Sequence, residues 1–158
     1  MDMRNQTERR FAVTLKHLER YRFQSQAHED GRLHGAPYVS DEPDPVGDAS
    51  GPSTPSLLGS ALGHCLSAAL LEMLKKQGVQ VLDAETEAVV IVKPNDAGLP
   101  RIDHVDITIR PTIAARTPAV QQCEDSFGCH CTVTCSVRKG IDVRVNVDWV
   151  VQEPALID

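Results

Sequence analysis

Apolar and polar positions alternate over two stretches of the first third of the chain. Phe11, Val13 and Leu15 lie between polar or small residues, and Tyr21, Phe23 and Ser25 continue the pattern after a polar turn at His17 to Arg20. Period-two alternation predicts half-buried strands. The two stretches therefore form a hairpin, with a third short strand before Asp41. From Asp41 to Pro52 the sequence is turn chemistry, Asp-Glu-Pro-Asp-Pro-Val-Gly-Asp-Ala-Ser-Gly-Pro. The period then changes. Leu58, Leu62, Cys65, Ala69 and Met73 recur at spacings of three and four, and Leu66 and Leu70 widen the stripe. Thr54 suits an N-cap, Pro55 a first helical turn, Lys75 and Lys76 the negative end of the dipole, and Gly78 a stop. One long helix over about 55–77 follows, with Cys65 on its buried face. The small side chains at Gly59, Ser60, Ala61 and Gly63 would let another helix approach closely.

Beyond the helix, Val79 to Lys93 reads as a strand, and its unbroken run Ala88 to Val92 predicts burial on both faces. A turn at Pro94 to Gly98 leads into Val105, Ile107 and Ile109, which alternate with Asp106, Thr108 and Arg110. Thr117 and Pro118 open a short helix that Gly128 stops, and a second runs from about Cys131 to Gly140. Ile141, Val143, Val145, Val147 and Trp149 form a last alternating strand. Strands, a long helix, two antiparallel strands, two helices and a strand make an α+β fold. We expect one domain over 1–158: a strand lobe at about 8–50, the central helix, and an α+β lobe at about 79–152.

Composition narrows the function classes. A net charge of -6 over 158 residues argues against a nucleic-acid partner, which needs a concentrated basic patch. The cationic stretch with Arg4, Arg9 and Arg10 reads as a solvated arm. No apolar run is expected to span a membrane, and the polar N-terminus does not resemble a signal peptide, so a cytoplasmic location is expected. Five cysteines, with Cys65 far from Cys123, Cys129, Cys131 and Cys135, do not form a secreted disulfide framework.

The cysteines are the candidate chemistry. On a helix face Cys65 packs as a small hydrophobe unless something stabilises its thiolate, and the helix N-terminus is three turns away. His64 beside it is expected to point elsewhere. The late group admits three readings. Its thiolates and His130 could hold zinc, although the spacing lacks paired Cys-x-x-Cys hooks. The cysteines could be inert filler. One could be a redox partner of Cys65, and Cys131 is favoured because it opens a helix after Gly128, where unpaired amides stabilise a thiolate.

The sequence Asp41-Glu42-Pro43 through Gly47, then Gly51-Pro52-Ser53, Leu57-Leu58 and Ala61-Leu62-Gly63-His64-Cys65 resembles the OsmC/Ohr family. Cys131-Thr132-Val133-Thr134 is similar to that family's second cysteine motif, usually Cys-Pro-Val-Ser. The resemblance runs from Phe11 to Trp149 and implies an intertwined homodimer with antiparallel sheets on a long central helix. It also implies cysteine-based reduction of organic hydroperoxides: Cys65 as the peroxidatic thiolate, Cys131 as the resolving thiol, a dithiol as reductant, and no metal or cofactor. The family's active site lies at the dimer interface, where an arginine meets the reactive thiol; Arg22 is the preferred counterpart here and Arg20 the other candidate. A glutamate that orients this arginine in the family's peroxidases is replaced by Ser56, which marks a divergent branch. The alternative is a non-catalytic dimer of the same fold that binds an apolar small molecule at its interface, with Cys65 as packing.

Overall fold

The alternation at Phe11, Val13 and Leu15 is realised as β1 (Phe11–Glu19), paired antiparallel with β2 (Arg22–Glu29), which pairs in turn with β3 (Arg32–Ser40). The structure is a computed structural model and describes residues 8–140 and 144–145. The β2–β3 turn is Asp30-Gly31, both at positive φ, the twist that a two-residue hairpin needs. The Leu15↔Ser25 and Val13↔Ala27 register places the large apolar residues of β1 over small ones of β2. Nothing among the described residues covers this meander. Phe11 is 68% exposed and Leu33 72%, and Val13, Leu15 and Tyr38 are exposed as well.

The central helix α1 (Thr54–Lys76) lies within a residue of the expected bounds. Its cap differs from expectation. Ser53 is the N-cap, extended and without a side-chain capping bond, while Thr54 lies inside the helix and donates its hydroxyl to Glu42 Oε1 at 3.3 Å. The buried stripe is Gly59, Leu62, Gly63, Leu66, Leu70 and Leu74, so Cys65 sits at its margin and not at its centre. The close approach expected at the small residues comes from a strand instead of a helix. β4 (Val81–Pro94) lies across Gly59 and Gly63 with Thr86, Ala88 and Val90. By length and composition α1 could cross a membrane, with a mean hydropathy of 1.5, contrary to the expectation that no run could. Here it packs against β4, β5, α2 and α3.

β4 pairs with β5 (Pro100–Ile113) in a second antiparallel sheet, and Val105, Ile107 and Ile109 turn inward as expected. The apolar run of β4 is not buried on both faces. Thr86, Ala88 and Val90 face the helix, but Val89 and Val92 are exposed, because α1 covers one side of the sheet only. α2 (Pro118–Ser126) starts after Thr117, which makes no side-chain capping bond, and a 3-10 turn (Phe127–His130) leads into α3 (Thr132–Arg138). Leu70, Leu74 and Cys123 form the core where α1, α2 and β5 meet, with Met73, Val81, Ile109, Val120 and Phe127 around them. Each fully buried side chain of this size contributes about 1.5–3 kcal/mol. The strand expected at Ile141 to Trp149 lies outside the described residues apart from Arg144 and Val145, which are in no strand.

The loop before α1 is organised by one carboxylate. Asp41 is buried and accepts from the amides of Glu42, Asp48 and Ser50 and from the Ser50 hydroxyl, at 2.8–3.1 Å. Gly47 is required there, since a Cβ would run into the Glu42 carbonyl and the Asp41 carboxylate. The Ser50 hydroxyl and the three amides hold the Asp41 carboxyl at about 2, below its ordinary 3.8. A group depressed on folding stabilises fully above its unfolded pKa, and that contribution disappears as pH falls through its folded pKa. Denaturant melts from pH 7 to pH 2 should therefore show an acid-sensitive component between about pH 4 and pH 2. Asp41→Asn should lack this component and be less stable at pH 7.

The helix–strand approach gives a second test. A Cβ on Gly59 would come 2.9 Å from Val90 Cγ2, whereas one on Gly63 would make an ordinary 3.4 Å contact with Thr86 Cγ2. Alanine gains up to about 1 kcal/mol of helix propensity over glycine, while overpacking costs about 1–3 kcal/mol. In equilibrium unfolding Gly63→Ala should be neutral or stabilising, and Gly59→Ala less stable than Gly63→Ala.

Candidate functional site

The middle of α1 and the start of α3 meet at two sulfurs. Cys65 lies at the edge of the buried helical stripe, half-buried, and opens into a depression of about 700 Å³. Tyr38 from β3, Leu57, Ala61 and His64 from α1, and Val133 from α3 line it beside the thiol, so its walls are largely apolar. Cys131 lies behind, 1% exposed. It is the N-cap of α3, and its Sγ accepts from the Thr134 amide at 3.4 Å and lies 3.1 Å from Thr134 Oγ1. The two thiols lie near enough for each to shift the other's titration, and the amides of Val133 and Thr134 act on both.

Electrostatics separates the two thiols. Burial pushes the Cys65 thiol up, and hydrogen bonding to Cys131 with the repulsion of its charge pushes it further; the Val133 and Thr134 amides act against this. Burial acts upward on Cys131 too, but hydrogen bonds from Cys65, from the Thr134 hydroxyl and from the Thr134 and Val133 amides outweigh it and draw it down. Of the two, Cys131 is therefore the thiol that gives up a proton more readily. The leading influences are burial, the neighbouring sulfur and hydrogen bonds, none of them a cation. Because the titrations are coupled, ionised Cys65 is a minor form in equilibrium with ionised Cys131.

The other expected participants lie elsewhere. Arg22, at the start of β2, pairs with Glu19, and Arg20 pairs with Asp48 and donates to the Pro45 and Val46 carbonyls. Among the described residues neither arginine contacts the thiols. Ser56 shares its hydroxyl with Ser53 at 3.1 Å. Cys123 is filler in the core, and Cys135 donates to the Gly128 carbonyl at 3.4 Å. Among the described residues no three His, Cys, Asp or Glu side chains converge as metal ligands, which leaves the zinc reading without a site there.

His64, expected to point away, opens onto the same depression as Cys65, because a shallow basin spans adjacent helical directions. Tyr38 could not have been found from sequence, since it comes from a different sheet. Thr134 carried a signal that went unread: three residues after an N-cap is the position where a capping side chain meets an amide.

The model for the OsmC-like protein family matches residues 47–146, which include both cysteines. Among curated proteins none matches the sequence. Solved structures share the fold. An OsmC-like protein of unknown function from Vibrio cholerae superposes with a TM-score of 0.61 at 19% identity, covering 82% of this chain and 93% of its own. An organic hydroperoxide resistance protein OsmC from Legionella pneumophila gives 0.60 at 12%, covering 85% and 93%. The organic hydroperoxide resistance protein OhrB of Bacillus subtilis gives 0.53 at 18%, covering 85% and 95%.

Proposed function

The chain belongs to the OsmC-like family, and from that premise we propose that it reduces organic hydroperoxides through Cys65 and Cys131. The observation that carries this reading is an accessible thiol in an apolar depression beside a buried thiol near enough to shift its titration. The Cys65 thiolate attacks the terminal peroxide oxygen. An S–O bond forms, the O–O bond breaks, and the alkoxide leaves and takes a proton. Cys131 as thiolate then attacks the sulfenic sulfur; an S–S bond forms, the S–O bond breaks, and hydroxide leaves as water. An external dithiol returns two electrons by exchange. The apolar walls suit an alkyl or aryl substituent on the peroxide. The free thiols suit a reducing, cytoplasmic setting.

The exposed meander belongs to the same proposal. Phe11, Val13, Leu15 and Tyr38 form an apolar face that a monomer rarely leaves bare, and a second copy of the chain is the proposed cover. In such a homodimer the partner copy would bring a cation to the thiol pair, which is the proposed place for Arg22.

With cumene hydroperoxide and dithiothreitol, wild-type protein should consume thiol, and Cys65→Ser should lose at least about a hundredfold of the rate, in line with removing a nucleophile. Mass spectrometry after one equivalent of peroxide should show a Cys65–Cys131 link. Full activity in Cys65→Ser would end the assignment, and an inert wild-type thiol would favour the non-catalytic reading with an apolar ligand in the depression. Light scattering should give the mass of two chains, and Val13→Lys should shift it toward one. A wild-type monomer of full activity would remove the dimer from the mechanism.

A further inference from the structure

We propose that Thr134 is the positioning residue of the resolving step: its amide and hydroxyl hold Cys131 as the nucleophile that closes on an oxidised Cys65. The inference deepens the hydroperoxide reading and rests on it, but its central test uses no peroxide.

Thr134 is buried, and its hydroxyl faces the Cys131 sulfur. The amide donates to Cys131 Sγ at 3.4 Å, and Oγ1 lies 3.1 Å from the same atom. A hydroxyl is both donor and acceptor. While Cys131 is a thiol, Oγ1 accepts its proton; once the proton is gone, the hydroxyl turns and donates to the sulfur. The side chain thus follows the charge without moving the backbone. Cys131 is too buried to meet a bulky oxidant, so its charge is of no use for the first attack. It is useful for the second, where the electrophile is a sulfur already within reach. The fall in the Cys131 thiol from its ordinary range agrees with this division. Among the described residues the titratable group acting on the sulfur is Cys65 from α1, while its chain neighbour His130 sets its ring on the Ser126 carbonyl and Cys135 on α3 donates to the Gly128 carbonyl. A Cys131 thiolate attacks the Cys65 sulfur of a sulfenic acid or mixed disulfide. The new S–S bond takes the pair of electrons from Cys131, and the old S–O or S–S pair leaves with hydroxide or thiolate.

The test uses 5,5′-dithiobis(2-nitrobenzoate). Ionised Cys65 displaces one coloured thiolate and becomes a mixed disulfide; Cys131 then displaces the second and forms the internal disulfide. The second phase, identified by its absence in Cys65→Ser and Cys131→Ser, reads Cys131 alone. Thr134→Val keeps the shape and the amide and removes the hydroxyl. It should slow the second phase roughly three- to tenfold at pH 7, since thiolate fraction falls faster than nucleophilicity rises. The first phase should stay within about twofold, the difference should close at alkaline pH, and Thr134→Ser should restore the wild-type rate. With one equivalent of cumene hydroperoxide, Thr134→Val should accumulate dimedone-reactive sulfenic acid at Cys65. Equal slowing of both phases, an unchanged second phase, or slowing that high pH does not relieve would overturn the proposal. If the wild type ignores peroxide while the two phases separate as described, the hydroperoxide reading falls and Thr134's control of closure between the sulfurs stands.

Discussion

The chemistry depends on the first turn of α3 being pressed against the middle of α1. That contact brings together two sulfurs far apart in the chain and gives them the same two amides, those of Val133 and Thr134. It is held from below by the core in which Leu70 and Leu74 of α1 meet Cys123 and Val120 of α2, since α2 and the 3-10 turn carry α3 to its place. From the other side β4 lies so close on Gly59 and Gly63 that the helix cannot retreat. Apolar packing therefore fixes the separation of the thiols, and no cross-link is needed to do so.

Given that separation, the charge is distributed by hydrogen bonding. Both sulfurs are taken out of water, which raises both, and only Cys131 receives enough donors to reverse the effect. The accessible sulfur is thus the harder to ionise, and the hidden one the easier. In a single chain this favours the closing step of a two-thiol cycle over the opening one. A cation beside Cys65 would shift the balance toward it without altering the packing.

The period-three-to-four pattern located α1 to within a residue, and the alternating stretches pointed to the described strands without fixing their ends: β1 continues to Glu19 through the turn expected at His17 to Arg20, and β5 extends from Pro100 to Ile113 around the alternation at Val105 to Arg110. The pattern was less informative about which face would be open. The run Ala88 to Val92 reads as doubly buried, yet Val89 and Val92 are exposed; hydrophobicity records that a surface is to be covered, not whether the same chain covers it. Cys65 and Cys131 were legible through the Ala61–Cys65 and Cys131–Thr134 segments that resemble a known family, and their approach agrees with it. The surroundings were not legible. Tyr38 reaches the depression from a separate sheet, and Glu42 meets the start of α1 through Thr54 because the Asp41 loop folds back. Such contacts follow from tertiary closure and have no local signature.

The exposed meander and the open thiol site lie side by side. A chain that spends nine-residue β1 on a wholly exposed surface, with Phe11, Val13 and Leu15 on one face, has apolar area left over that folding of a single copy does not use. The depression at Cys65 is likewise broad and open among the described residues, and Tyr38 is the part of the meander that borders it. Covering β1–β3 by the proposed second copy would narrow that opening, raise the local field by excluding water, and bring fresh side chains to the half-exposed sulfur. Association and activation of the thiol would then be a single event, since in the single chain burial and the neighbouring Cys131 hold the Cys65 thiol above its ordinary range.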